Sequence, residues 1–440
     1  VSVYEDESFS ASSDPLPLVV KLARAGLFDD YVVYESGGRW TVAGGALATV
    51  SLDAKQVKTT LAGEDEIAVE WTGSPADALR RALDALPIQG WNAYGWLGFD
   101  FAGLIASLVS RGSEAPGGEL ARLIVPRTEV RIDERGVVVR SADEAERARV
   151  LELLREPVDP ITPAATGIDV RADGEGYRER VAQAVKEIQL GQYQKVILSR
   201  TVRIPFEADM AGTYEVGRRG NTPARSFLLR MNGTEAAGFS PEVIVTVDAD
   251  GHVLTQPLAG TRAFGRGTEA DAAARSELES DPKEVFEHAV SVRAAQEELR
   301  GVCRAGTVGV DDFMGIKERG SVQHLASLVT GTLDERRTSW DALEAVFPAI
   351  TASGIPKRES LDAIFRLDET RRGLYSGAVL SASHDGALDA ALVLRAVYQQ
   401  DGQAWLRAGA GIVTDSTPER EFEETCEKLS SVAPFVVRAD

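Results

Sequence analysis

Two stretches of this chain set a pair of glutamates one helical turn apart just behind a helix start. In STPEREFEETCEK, Ser416 or Thr417 can cap the helix and Pro418 suits its first turn; Glu421 and Glu424 then fall at i and i+3, with Lys428 four residues further on. Phe422, Cys426 and Leu429 recur at i, i+4 and i+7, which predicts the side that this helix buries. In DPKEVFEH, Asp281 is the cap and Pro282 lies in the first turn. Glu284, Glu287 and His288 take neighbouring helical positions, and Val285, Ala289 and Val292 are the expected apolar stripe. An isolated E-x-x-E is most often a solvated face. Two of them, each beside a stripe that must be buried, could face each other across a site for a hard divalent cation such as Mg²⁺, whose preferred ligands are carboxylate oxygens. Lys428 could neutralise an anion that reaches the same ion.

Other side chains stand out by their surroundings. Lys195 lies among Val196, Ile197 and Leu198, where a lysine commonly marks a sheet edge or snorkels to water. If its face lines a cleft, desolvation would make it a usable general base. Glu242 in GFSPEVIV is the mirror case, since a carboxyl in an apolar setting has a raised pKa and can act as a general acid. Arg395 interrupts DAALVLRAVY; burial requires an anionic partner, either an internal carboxylate or a substrate carboxylate held bidentately. Tyr375 in GLYSGAV could donate to the same anion or simply pack in a strand. His324 in SVQHLAS reads by itself as a hydrogen-bonded core histidine. Gly409 and Gly411 would let a ligand approach the backbone, and Gly260-Thr261 in QPLAGTRAFG reads as a turn or a substrate-contacting loop.

The elements that must position these residues can be outlined. Tyr31 to Ser36, Arg39 to Val42 and Ala46 to Leu52 form a predicted strand meander broken at Gly37-Gly38 and Gly44-Gly45. Ser74-Pro75 opens a helix that Pro87 stops. The Pro-rich run from Arg155 to Thr166 has the composition of a linker, dividing the chain into a strand-rich part, 1–165, and a catalytic part, 166–440, expected to form one compact unit. Tyr177, Val181, Val185 and Ile188 give a helix ending near Gly191, followed by the strand QYQKVILSRTVRI. Hairpins are expected at Asp385-Gly386 and Asp401-Gly402. Many strands with several helices, out of strict βαβ order, predict an α+β fold of large, mostly antiparallel sheets.

Bulk properties exclude several classes. A net charge of -20 over 440 residues argues against nucleic acid, whose backbone binds clustered Lys and Arg. Cys303 and Cys426 lack metal-ligand spacing, the four histidines are scattered, and the N-terminal VSVYEDESFSASSD carries no basic or apolar signal region. The expectation is a reduced cytoplasmic protein that neither enters a membrane nor binds zinc.

Taken in order, SPE, LAGTR, DPKEVFEH, SVQHL, TASGIPK, GLYSGAV and LRAGAGIV resemble the chorismate-utilising enzymes, the family of anthranilate, aminodeoxychorismate, isochorismate and salicylate synthases. The resemblance is dense from Tyr177 to Lys428, and the pair of E-x-x-E helices is its most specific part. With KVILSR, NTPARSFLL and EREFEETCEKL added, the chain is most similar to the bacterial salicylate synthases of siderophore pathways. The resemblance implies an anthranilate-synthase-like fold, a sandwich-like core with helices outside.

By resemblance, Ala259 stands where aminodeoxychorismate synthases carry a nucleophilic Lys, and Lys195 where anthranilate synthases have Gln, so water is the expected nucleophile. Lys195 would deprotonate it for attack at C2 of chorismate while Glu242 protonates the departing C4 hydroxyl, giving isochorismate. Mg²⁺ would be held by Glu287 and Glu424 directly and by Glu284 and Glu421 through water, anchoring the ring carboxylate together with Lys428. Arg395 and Tyr375 would hold the enolpyruvyl carboxylate; Gly260, Thr261, Gly409 and Gly411 would contact substrate, and His324 would lie beside the ring. Thr351 matches members that go on to eliminate pyruvate, where Ala accompanies those that stop at isochorismate. The expected activity is an Mg²⁺-dependent salicylate synthase, monomeric and needing no amidotransferase. An isochorismate synthase, an anthranilate synthase component and a non-catalytic metal- or ligand-sensing relative are the alternatives.

Overall fold

A computed structural model describes residues 4–10, 14–107, 118–157, 167–172, 175–320 and 322–439. Its organising feature is a pair of long strands, Arg39–Leu52 and Ala121–Asp133, which run antiparallel from Trp40↔Ile132 to Leu52↔Ala121. Each outlasts its other neighbours, so two sheets diverge from this shared pair. One continues from Tyr31–Ser36 through Arg225–Met231, Thr234–Ser240, Ala396–Gln400 and Gln403–Ile412 to Lys195–Ile204, and ends at Gly354–Ile355. The other runs from Asn92–Leu97 through Ala378–Ser383, Leu388–Leu392, Val243–Val247 and His252–Thr255 to Val322–Thr332, which also pairs with Leu258–Ala263 and Gly309–Arg319. All these pairings are antiparallel.

The two sheets pack face to face. Val32, Tyr34, Phe227 and Leu229 from one and Tyr94, Trp96, Val379 and Ala391 from the other fill the layer between them. Alternate residues of the same strands point outward and are covered by helices, as the period of two requires. Pro15–Arg24, Glu144–Arg155, Met210–Gly220 and Lys357–Leu367 cover the first sheet, and Pro75–Asp84 and Ser339–Val346 the second. The fold is therefore α+β, with antiparallel sheets inside and helices outside. No helix among the described residues is long and apolar enough to cross a membrane.

Local expectations hold where turn and cap chemistry decides them. Asp401-Gly402 closes a two-residue hairpin with both residues at positive φ, and Asp385-Gly386 turns the other. Ser74, Asp281 and Thr417 cap their helices through side-chain oxygens. Three local expectations need correction or fall outside view. Gly44-Gly45 does not break the strand: Arg39–Leu52 is continuous, with a register shift between Ala46 and Ala48, and Phe28 fills the space a Gly44 side chain would need. In the helix Pro282–Arg300 the buried stripe is His288, Ser291, Val292, Ala295 and Leu299, while Val285 and Ala289 are half-buried. His288 belongs to that stripe because its Nε2 meets Ser327 Oγ at 2.7 Å; burial holds the ring neutral, with its pKa lowered to about 4. The Pro-rich run from Arg155 to Thr166 lies mostly outside the described residues.

Candidate active site

The free ends of the two sheets, with the Pro282–Arg300 and Pro418–Ser430 helices, enclose a cavity of about 110 Å³. Lys195, Glu242, Thr351, His324, Gly260, Thr261, Tyr375, Arg395, Gly409, Gly411, Lys428, Glu287 and Glu424 all line it. Of the residues singled out in the sequence, Glu284 and Glu421 alone are set back from the wall. Glu284 approaches the backbone of Gly260, and Glu421 is buried beneath its helix.

Lys195 is neither at an edge nor in water. Its strand is flanked by Gln403–Ile412 and by Gly354–Ile355, and the residue is 5% exposed. The ammonium lies 2.5 Å from Glu287 Oε1, so the desolvated charge is met by a carboxylate from the neighbouring helix. Glu242 is the converse. It is 4% exposed and no cation lies within ion-pair distance among the described residues; burial pushes its pKa up to about 8, against smaller opposing effects of the Thr351 hydroxyl and the Lys195 charge. Thr351 Oγ1 donates to Glu242 Oε1 at 2.6 Å. A carboxyl that keeps its proton at neutral pH can deliver it, which is the property of a general acid.

The anion-binding side is equally well defined. Arg395 has a left-handed backbone, φ 52°, and its guanidinium makes no ion pair with a carboxylate among the described residues. Its Nη1 donates to Ser431 Oγ at 3.0 Å, and Ser431 in turn donates to Lys428 O at 2.7 Å, the last turn of the Glu424 helix. Burial lowers the Arg395 pKa to about 10, so it remains charged at neutral pH. An internal carboxylate partner, one of the two possibilities for this arginine, is thus not found. Tyr375 is buried beside it in the cavity wall.

His324 Nδ1 lies 2.9 Å from Thr261 Oγ1, while Nε2 has no hydrogen-bond partner among the described residues. Burial and the Arg395 and Lys428 charges lower its pKa to about 3, so it is a neutral hydrogen-bonding group at neutral pH and not a proton carrier. Gly409 and Gly411 pave another wall. A Cβ at Gly409 would sit 2.6 Å from Leu198 O and 2.9 Å from the Tyr375 hydroxyl, and one at Gly411 3.2 Å from Glu287 Oε1. The strand therefore presents bare backbone to whatever occupies the cavity.

The four helix carboxylates sit as two pairs, and three of the four are engaged by a cation. Glu287 pairs with Lys195, Glu284 with Arg262 at 3.1 Å, and Glu424 with Lys428 at 2.8 Å. Lys428 also donates to Gly409 O at 2.8 Å. Burial opposes the Lys428 charge, but Glu424 overrides it and raises the pKa. Burial and then the Glu424 charge push Glu421 up to about 7, and Glu284 is raised by burial, with Glu287 adding to it. No group of three His, Cys, Asp or Glu among the described residues is drawn together as a ligand set. The donor set nonetheless suits a hard divalent cation, because it is all carboxylate oxygen; burial raises Glu284 and Glu421, while Lys428 outweighs burial and holds Glu424 below the ordinary carboxylate range.

Sequence reasoning passed over two contributors. Arg262, in LAGTR, braces the first carboxylate helix through its cap Asp281 and through Glu284, and ties it to Glu277 of the preceding helix, Thr268–Ser280. Its place directly after Gly260-Thr261 was the available signal. Ser431 fixes Arg395, and nothing in the local sequence marks a serine 36 residues away as its partner.

The profile described as chorismate binding enzyme matches residues 29–434. The chain is 48% identical over 429 residues to the salicylate synthase of Mycolicibacterium paratuberculosis, covering 96% of this chain and 94% of that protein. It is 31% identical over 437 residues to anthranilate synthase component 1 of Geobacillus stearothermophilus, covering 90% and 86%. In fold it matches the menaquinone-specific isochorismate synthase of Escherichia coli with a TM-score of 0.75 at 20% identity, covering 98% and 94%.

Proposed function

The chain belongs to the chorismate-binding enzymes, and from that premise we propose that it is a salicylate synthase, converting chorismate through isochorismate to salicylate and pyruvate. The observation that carries this reading is the presence, in one small cavity, of a buried lysine and a buried carboxyl whose pKa near 8 keeps it protonated at neutral pH. A base and a protonated acid on the same substrate ring are what exchange of a hydroxyl between two ring carbons requires. Higher identity to a salicylate synthase, 48%, than to the anthranilate synthase component 1 above, 31%, favours water over ammonia as the nucleophile.

In this reading Lys195 first releases to solvent the ammonium proton it holds against Glu287; as the neutral amine it takes a proton from water attacking C2, and Glu242 gives its proton to the departing C4 hydroxyl. Arg395, lacking an internal carboxylate, holds the enolpyruvyl carboxylate with Tyr375, and the bare strand at Gly409 and Gly411 admits the flat ring. Neutral His324 offers Nε2 to the substrate as a hydrogen-bonding group. Glu287 and Glu424, with Glu284 and Glu421 behind them, would hold Mg²⁺, whose charge anchors the ring carboxylate. The walls then fix isochorismate for a concerted elimination of pyruvate, which needs positioning more than a further acid or base.

The test is direct. The purified protein is incubated with chorismate and Mg²⁺ in H₂¹⁸O without ammonia, and the products are identified. Salicylate carrying ¹⁸O in its phenolic oxygen, with equimolar pyruvate, is expected. Accumulated isochorismate without salicylate would mean that the activity stops at the first step, and anthranilate formed only when ammonia is added would replace the reading altogether.

A further inference from the structure

The outer edge of the Lys195 strand is closed by side chains. Gly354–Ile355 pairs with it only opposite Val196 and Lys195, and Ile197 N–H then donates to Ser353 O at 2.9 Å. Among the described residues no strand continues this edge, and a buried ion pair takes its place. Ser199 N–H donates to Asp368 Oδ1 at 2.9 Å and Ser199 Oγ to Asp368 Oδ2 at 2.8 Å, while Arg372 Nε donates to the same Oδ2 at 2.7 Å. Arg372 is 5% exposed and reaches two carbonyls besides: Nη2 donates to Ile197 O at 2.6 Å and Nη1 to Ala352 O at 2.9 Å. Its guanidinium thus joins the strand of Lys195 to the turn Ile350–Ala352, which carries Thr351. Ile197 and Ala352 both line the cavity, and Arg372 stands behind them.

Desolvation offsets most of the attraction within a buried ion pair, so this pair adds little net stability. What it supplies is geometry: a guanidinium is a planar fork with fixed N–H directions, and all three nitrogens are engaged here. We infer that Arg372 is a positioning residue for the proposed acid, keeping the Thr351 hydroxyl on Glu242 by holding Ala352. This role rests on the functional reading above and adds to it a residue that contacts neither the substrate nor Glu242. The 2.6 Å bond from Thr351 to Glu242 weakens steeply when it is stretched or bent, so the turn must be held closely. Besides burial, Glu242 feels the Thr351 hydroxyl, the Lys195 charge and the Leu258 N–H. Lys195 keeps its own ladder to Ile355, and Leu258 its ladder to Ala326, whatever side chain stands at 372. Only the Thr351 contact is carried on the turn that Arg372 ties down.

Arg372→Lys keeps a cation beside Asp368 but cannot span both carbonyls, and Arg372→Met leaves Asp368 paired with Arg407. Each is made in the full chain, alone and together with Thr351→Ala, and chorismate consumption with Mg²⁺ is followed across pH. With Thr351 present, either change is expected to lower kcat about three- to tenfold with KM unchanged, and to move the alkaline limb to higher pH, because Glu242 loses the hydroxyl that favours its ionised form. In the Thr351→Ala background neither change should lower kcat by more than about twofold or move the limb further, since the contact through which Arg372 acts is already gone. Rate losses that multiply in the double variants, or a limb that stays in place in the single ones, would overturn the role. Failure of both single variants to fold would overturn it too, leaving Arg372 a structural residue. Raised KM with unchanged kcat would assign Arg372 to substrate binding instead. A wild-type protein inert toward chorismate would sink the functional reading, and the role with it.

Discussion

Thr351 Oγ1 donates a hydrogen bond of 2.6 Å to Oε1 of Glu242, binding the residue associated by resemblance with pyruvate elimination to the proposed acid of the preceding step. The two steps therefore share a contact. The hydroxyl stabilises the carboxylate form and opposes the rise that burial imposes on the Glu242 pKa.

Thr351→Ala removes that opposition. Isochorismate formation is expected to slow about three- to tenfold, as for loss of one hydrogen bond to a charged group, and its alkaline limb to move to higher pH. A pH profile of chorismate consumption checks this. An unmoved limb would show that the contact does not set the acid's titration.

Glu242 also links activity and stability to pH. Its folded-state pKa of about 8 lies above the ordinary 4.5, so the native state holds this proton more tightly than the unfolded chain. Its contribution to stability is therefore present at low pH and is lost as pH rises from about 4.5 to about 8. Glu242→Gln, with no charge to bury, is expected to abolish the first step yet to unfold at a higher temperature than wild type. That advantage should grow across the same interval and then level off. Thermal unfolding at a series of pH values tests it.

Lys195→Gln is expected to reduce chorismate turnover by about 10²- to 10⁴-fold, the usual worth of a general base, while conversion of supplied isochorismate to salicylate persists. Loss of both reactions in a folded variant would assign Lys195 to binding instead. The change also leaves Glu287 without its partner, so some loss of thermal stability accompanies it.

Ser431→Ala removes the hydroxyl that receives Arg395 Nη1. The guanidinium then loses its fixed orientation but keeps its charge. KM for chorismate is expected to rise about threefold to tenfold with kcat little changed, and Ser431→Thr to restore it. Steady-state kinetics separates this from a merely structural role, which would lower active enzyme without moving KM.

Chelation by EDTA is expected to stop turnover and Mg²⁺ to restore it. Mg²⁺ alone should also raise the unfolding temperature in proportion to the logarithm of its concentration, because it binds the native carboxylates and not the unfolded chain. Glu287→Gln and Glu424→Gln should each remove that shift. A shift that survives both substitutions would place the ion elsewhere.

Much of the site was legible because its signals are local. Asp281 and Thr417 cap their helices within three residues, so the phase of Glu284, Glu287, Glu421 and Glu424 follows from the sequence. Asp401-Gly402 is likewise decided by the conformations its own two residues prefer. The Gly44-Gly45 break and the Val285 stripe failed for the opposite reason. Phe28 and Ser327, distant in sequence, supply the contacts that keep the strand continuous and turn His288 inward.

By itself, then, the sequence determined which residues could act and, through its motifs, the family to which they belong. The tertiary structure decided what charge each one meets. Lys195 had two open fates, water or a cleft, and only the packing of the Glu287 helix against its strand closes one of them. Arg395 was owed an anion; the fold gives it Ser431 in place of an internal carboxylate and leaves the guanidinium facing the cavity. Glu242 holds its proton because two sheets remove it from water, and desolvation is a property of the whole assembly rather than of neighbours along the chain.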